Sequence, residues 1–139
     1  MSDLVATAAS ARFEIVELDG DHVVLSVPGN AYAIRLRWAG DAAASVGVVA
    51  GRIEATALRV HGASAGGRFI EPVAGTPRIV SGTVEAIDKA SVTIAVQSVV
   101  PMHVALEHRA DLEQCPVGSL VNFHVRSDCQ LCPDACPGS

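Results

Sequence analysis

Four cysteines, Cys115, Cys129, Cys132 and Cys136, crowd into the last 25 residues with the spacing C-x13-C-x2-C-x3-C. A C-x2-C pair puts two thiolates on one turn, where a tetrahedral ion takes both, and the other two would complete a four-sulfur site. Zinc is the cofactor this pattern invites. The run Cys129-x2-Cys132-x3-Cys136-Pro137 also matches the end of the bacterial ferredoxin pattern, but the position of the preceding cysteine, 126, is Arg. Free thiols on a polar, Pro-punctuated tail, or a disulfide between two of them, are the plainer readings of the same residues.

The second group with chemistry is basic. In AYAIRLRW, residues 31 to 38, Tyr32, Ile34, Leu36 and Trp38 share one face of a strand while Arg35 and Arg37 share the other, so the two guanidinium groups face water or a partner. Arg35 and Arg37, with Arg68 after the glycine-rich stretch Gly62–Gly67, are the binding residues expected from sequence. The five histidines are scattered. His103 and His108 fall on opposite faces of one strand and cannot share a metal without a bulge, whereas His124 could stand beside His103 on an outer face. No H-E-x-x-H, phosphate loop, G-x-G-x-x-G or C-x-x-C-H motif occurs, and Glu17, Glu71 and Glu85 are isolated carboxylates. No catalytic residue is assigned, and an enzyme is not the expectation.

Those side chains must be positioned by an apolar framework. Half of the 139 residues are apolar and 18% are charged, which excludes a disordered polymer and suffices for one core or two small fused ones. Ala and Val dominate, with rings only at Phe13, Tyr32, Trp38, Phe69 and Phe123, so the core is fine-grained and β-branched. Nine Arg and the single Lys89 oppose fifteen Asp and Glu for a net charge of −5. That charge opposes phosphate-backbone binding, and the few rings leave no stacking platform, so nucleic acid is not the expected partner. No apolar run reaches the length of a membrane span and no secretory start is visible, so a cytoplasmic protein is expected.

Period-two alternation in FEIVEL, HVVLSV and AYAIRLRW, with turns at Leu18–Asp21 and Val27–Asn30, reads as a β-meander. Residues 40 to 45 could form one helical turn, and GRIEATALRVH, from Gly51, reads as a fourth strand. The same grammar then returns. Val16 matches Val84, Val23-x-Leu25-x-Val27 matches Val92-x-Ile94-x-Val96, Tyr32-x-Ile34-x-Leu36 matches Met102-x-Val104-x-Leu106, and Gly51 matches Gly118, at offsets from 67 to 70 residues. On this alignment His108 takes the position of Trp38 and is expected to be partly buried.

Four strands and a short helical turn per repeat suit a small Greek-key barrel of the OB type. The expected fold is all-β, two tandem OB-like barrels packed as one unit, the alternative being a single larger β-barrel with an internal pseudo-repeat. The organisation expected is an arm at 1–11, a first repeat at 12–62, a connecting loop and strand at 63–78, a second repeat at 79–127 and a Cys/Pro-rich tail at 128–139.

The stretch Arg68-Phe-Ile-Glu-Pro-Val-x-Gly-x-Pro-Arg78, with Val-Pro-Met near 100 and Val-Gly-Ser-Leu-Val-Asn-Phe near 120, resembles an uncharacterised bacterial family of small β proteins, to which no activity attaches. The architecture is also similar to the paired molybdate-binding Mop modules. That resemblance implies an oxyanion site, although the family's Ser-Ala-Arg-Asn and Lys-Ala-Ser motifs are missing and Ala9–Arg12 and Ala57–Arg59 are their nearest stand-ins. The function expected is that of a non-enzymatic binding or interaction protein, with a protein partner and a homodimer formed by pairing open strand edges. Metal binding at the cysteines and small-oxyanion binding are the alternatives.

Overall fold

The computed structural model describes residues 11–63 and 66–134. The chain is nearly all β. Its strands are β1 (Ala11–Asp19), β2 (His22–Ser26), β3 (Ala33–Trp38), β4 (Gly47–Gly62), β5 (Phe69–Glu71), β6 (Ala74–Gly75), β7 (Ile79–Asp88), β8 (Thr93–Gln97), β9 (Pro101–Leu106), β10 (Leu120–Val125) and β11 (Gln130–Pro133), with a 3-10 helix at Arg109–Gln114. All eleven strands belong to one mixed sheet. Among the described residues no helix is long and apolar enough to cross a membrane.

The hydrogen-bonded neighbours of β1 run through β2, β3 and β11 to β4, and β4 pairs back onto β1. From β4 they run through β10, β7 and β8 to β9, and β9 pairs back onto β4. The 16-residue β4 belongs to both circuits. The two halves also exchange their closing strands. Residues 53–57 of β4 lie parallel to β9 of the second half, and β11, at the C-terminal end, lies parallel to β3 of the first and antiparallel to β4. The segment read from sequence as a tail thus contributes a strand, with Cys129 and Leu131 both buried. A period-two signal over four residues is too short to show in the sequence.

Each half opens with a bulged strand, between Ile15 and Glu17 in β1 and between Val84 and Ala86 in β7. Pairing outward from the bulges matches Ile15 with Val84, Leu25 with Val96 and Ile34 with Met102. In the second and third strands this register lies two residues from the one the sequence alone suggested, because a bulge and unequal turns are invisible to an alternating pattern. Trp38 then corresponds to Leu106, which is buried, and His108 is exposed rather than partly buried.

Inward-facing residues of both halves form one contiguous core, from Phe13 and Ile15 through Ile53 and Leu131 to Ile94 and Phe123. Alternation is kept on β3, where Ile34 and Leu36 are buried and Tyr32 and Trp38 pack at the margin. Residues 39–46 contain no helix. Trp38 Nε1 instead donates to the Ala42 carbonyl at 2.7 Å, folding the segment over the indole. A run of three alanines is far shorter than an isolated helix needs, so the tertiary contact decides.

Candidate functional site

Outward-facing residues of the shared strand build two depressions on the sheet. In β4 the alternation puts Ile53, Ala55 and Ala57 inside and Arg52, Glu54 and Thr56 outside. Pairing then sets Arg37 opposite Gln130, Gln130 opposite Glu54, and Glu54 beside His103, a polar row across β3, β11, β4 and β9. This row, with Asp128 and Thr93, lines a cleft of about 340 Å³ whose small residues are Ala55 and Ala105.

Glu54 is the hub of the cleft. Arg52 Nε donates to its Oε2 at 2.7 Å and Gln130 Nε2 to its Oε1 at 3.0 Å, while Gln130 Nε2 also lies 3.4 Å from Cys132 Sγ. Burial alone would raise the Glu54 carboxyl, but hydrogen bonds from Gln130, Cys132 and Arg52 and the Arg52 charge more than offset it and hold it below its ordinary value. The opposite holds for the neighbouring imidazole. Burial first, and the Arg52 charge second, push His103 below its ordinary value against the pull of Glu54 and Asp88, and its Nε2 is buried without a hydrogen-bond partner among the described residues.

A titration test follows from the sign of that shift. The unfolded chain takes up the His103 proton before the folded chain does, so this residue's contribution is present above 6.5 and is lost as the pH falls through the lower folded value. Chemical denaturation at about pH 7.5 and about pH 5.5 is expected to show lower stability at the acid value, with a smaller drop in His103→Gln.

The second depression, a groove of about 670 Å³, opens between β2, β3, β4, β10 and the segment joining β6 to β7. Its basic groups are Arg35, Arg78, His22 and His124; Leu58, Pro72, Pro77 and Val125 supply apolar surface, and Thr76 and Ser127 supply hydroxyls. No carboxylate is among the residues that line it. Arg35 Nε donates to Asp19 at 3.1 Å and His22 Nδ1 meets Asp21 at 2.7 Å, both outside the lining. Arg78 and His124 make no side-chain hydrogen bond or ion pair among the described residues, and Leu58 is 40% exposed.

The binding residues expected from sequence do not converge. Arg37 lines the cleft, Arg35 lines the groove, and Arg68 stands apart, its Nε donating to Thr83 at 3.3 Å. His103 and His124 likewise belong to different depressions. Arg52, Glu54 and Gln130 were missed. Period two on the fourth strand would put Arg52, Glu54 and Thr56 on one face, but nothing in the sequence joins that face to Gln130 across more than seventy positions.

The cysteines fare differently from the zinc pattern. Cys136 lies outside the described residues. Cys115 and Cys129 are buried in the core, where Cys115 Sγ donates to the Asp111 carbonyl at 3.3 Å, and Cys132 lines up beside Glu54. Among the described residues no three His, Cys, Asp or Glu side chains assemble into a metal-binding group. Burial pushes the Cys115 thiol up to about 11 and Cys129 to about 12, and burial with Glu54 pushes Cys132 to about 11, so all three are protonated near neutral pH. Titration with a thiol-specific chromogenic disulfide is expected to modify these three at least about a hundredfold more slowly in the native chain than in denaturant. Fast native reaction at Cys129 would show that its burial is wrong.

Compared with known proteins, the chain matches no family model, no curated protein and no solved structure.

Proposed function

We propose that this chain is a non-enzymatic interaction protein, built as two OB-like barrels fused along β4, that holds an acidic segment of a partner protein in the groove around Arg78. The architectural part of this reading is supported by the pairing order, which returns to β4 twice, once through β1 and once through β9. The functional part rests on one observation. On a chain of net charge −5, the groove collects two guanidinium groups and two imidazoles around exposed Leu58, and of these Arg78 and His124 have no carboxylate partner among the described residues. Arginine beside apolar surface is the composition of protein-binding hot spots, and local positive charge on an acidic protein selects an acidic partner.

The test is fluorescence anisotropy with two labelled peptides, one alternating Glu with Leu and one alternating Lys with Leu. The Glu peptide is expected to bind, and Arg78→Glu to weaken it by about tenfold or more, as removal of a committed interfacial charge does. Arg68→Glu, outside the groove, is expected to leave affinity within about twofold. Equal binding of the Lys peptide, or indifference to Arg78→Glu, would remove the groove from the account.

A further inference from the structure

The cleft is chemically unlike the groove it adjoins, where His22 of the groove pairs with Arg37 of the cleft. Of its four charged groups, two are committed to each other: Arg52 Nε holds Glu54 Oε2, and Gln130 occupies Glu54 Oε1. That bond fixes the Arg52 guanidinium while leaving both Nη atoms without a partner among the described residues, on a side chain 42% exposed. Arg37 makes no side-chain hydrogen bond or ion pair among the described residues. The cleft therefore offers two guanidinium groups, one already held in place, and a planar fork of N–H donors is the natural partner of a carboxylate. An anchored donor also loses little freedom when a ligand arrives.

The remaining lining narrows the ligand. Asp128 contributes a carboxylate that repels a second negative charge, favouring a monoanion over phosphate. The outward-facing Ala105 gives a methyl surface for a short apolar body. Space of about 340 Å³, roughly ten water volumes, suits a small molecule and not a peptide strand. We infer that the cleft bounded by Arg37, Arg52, Glu54, Asp128, His103 and Gln130 is a binding site for a small organic acid with a single carboxylate and a short aliphatic body. The carboxylate lies between Arg37 and the free Nη atoms of Arg52, and the aliphatic part lies over Ala105.

The test is a titration followed by heteronuclear NMR of the full chain, with butyrate, the neutral isostere butyramide and inorganic phosphate as probes. Butyrate is expected to give saturable shifts in the His103 ring and the Gln130 side-chain amide. Butyramide and phosphate are expected to bind at least about tenfold more weakly, as loss of a charge-assisted pair or addition of a second charge requires. Arg37→Gln, at an exposed position with no hydrogen bond or ion pair among the described residues, is expected to raise the butyrate Kd about tenfold or more, and Arg68→Gln to leave it unchanged. Failure of butyrate to saturate, equal binding of butyramide, tighter binding of phosphate, or indifference to Arg37→Gln would each overturn the site. Arg78→Glu is expected to leave butyrate binding intact, so this proposal and the groove reading fail independently.

Discussion

Gly51→Ala is expected to lower folding stability by about 3 kcal/mol, the upper end of what a side chain forced into a filled space costs. Gly51 pairs with Ala11 of β1 on one side and Pro133 of β11 on the other, the point where β4 passes from one circuit toward the next. A Cβ there would lie 2.8 Å from Pro133 Cα and closer still to the Cys132 carbonyl oxygen. Both obstacles are backbone, so no rotamer change relieves them and β11 must move away from β4. Urea denaturation of the variant beside the parent chain checks the value, and a change below about 0.5 kcal/mol, the usual scatter for a surface position, would mean that β11 does not sit where it is described.

Leu131→Ala carries the second large effect. Leu131 is fully buried on a four-residue strand that pairs with both β3 and β4, and truncating a leucine in such a place costs about 2–5 kcal/mol. Its location matters as much as its size. Because β11 closes the first half, native-state hydrogen exchange in the variant is expected to lose protection first in β3 and the N-terminal part of β4, with β7 and β8 holding theirs longer. Early loss in β7 and β8, far along the chain of pairings from β11, would contradict the exchange of closing strands.

How much of this was readable in advance depends on the length of the alternating runs. His22–Ser26 and Ala33–Trp38 alternate cleanly and sit between strong turn signals, so β2, β3 and the outward direction of Arg35 and Arg37 follow from period two alone. The recurrence of the same meander was readable for the same reason. Its register was not, because Val, Ile and Ala are interchangeable at buried positions and the bulges at Ile15 and Val84 consume a residue without a sequence mark. β11 was illegible, since Gln130–Pro133 is short, holds a proline and gains its order only from β3 and β4. The sites inherit that limit. Glu54 and Gln130, or Arg35 and Arg78, meet only after distant strands have paired, and residue spacing along the chain carries no trace of such meetings.

The cysteines show the same limit. Their spacing invites a metal, while among the described residues Cys115 and Cys129 pack as small core residues and Cys136 lies outside them. Clustered cysteines in sequence are a metal signal only where the fold leaves their sulfurs facing one another.

The measurement that bears most directly on function is mapping of the Glu-Leu peptide onto the assigned amide spectrum of the full chain. Binding in the groove predicts shifts concentrated at Leu58, Thr76, Arg78, His124 and Ser127, diminishing as salt rises because the contact is electrostatic. Shifts spread evenly over the surface, or centred on the cleft around Arg37 and His103, would contradict the assignment of this groove as the partner-binding surface.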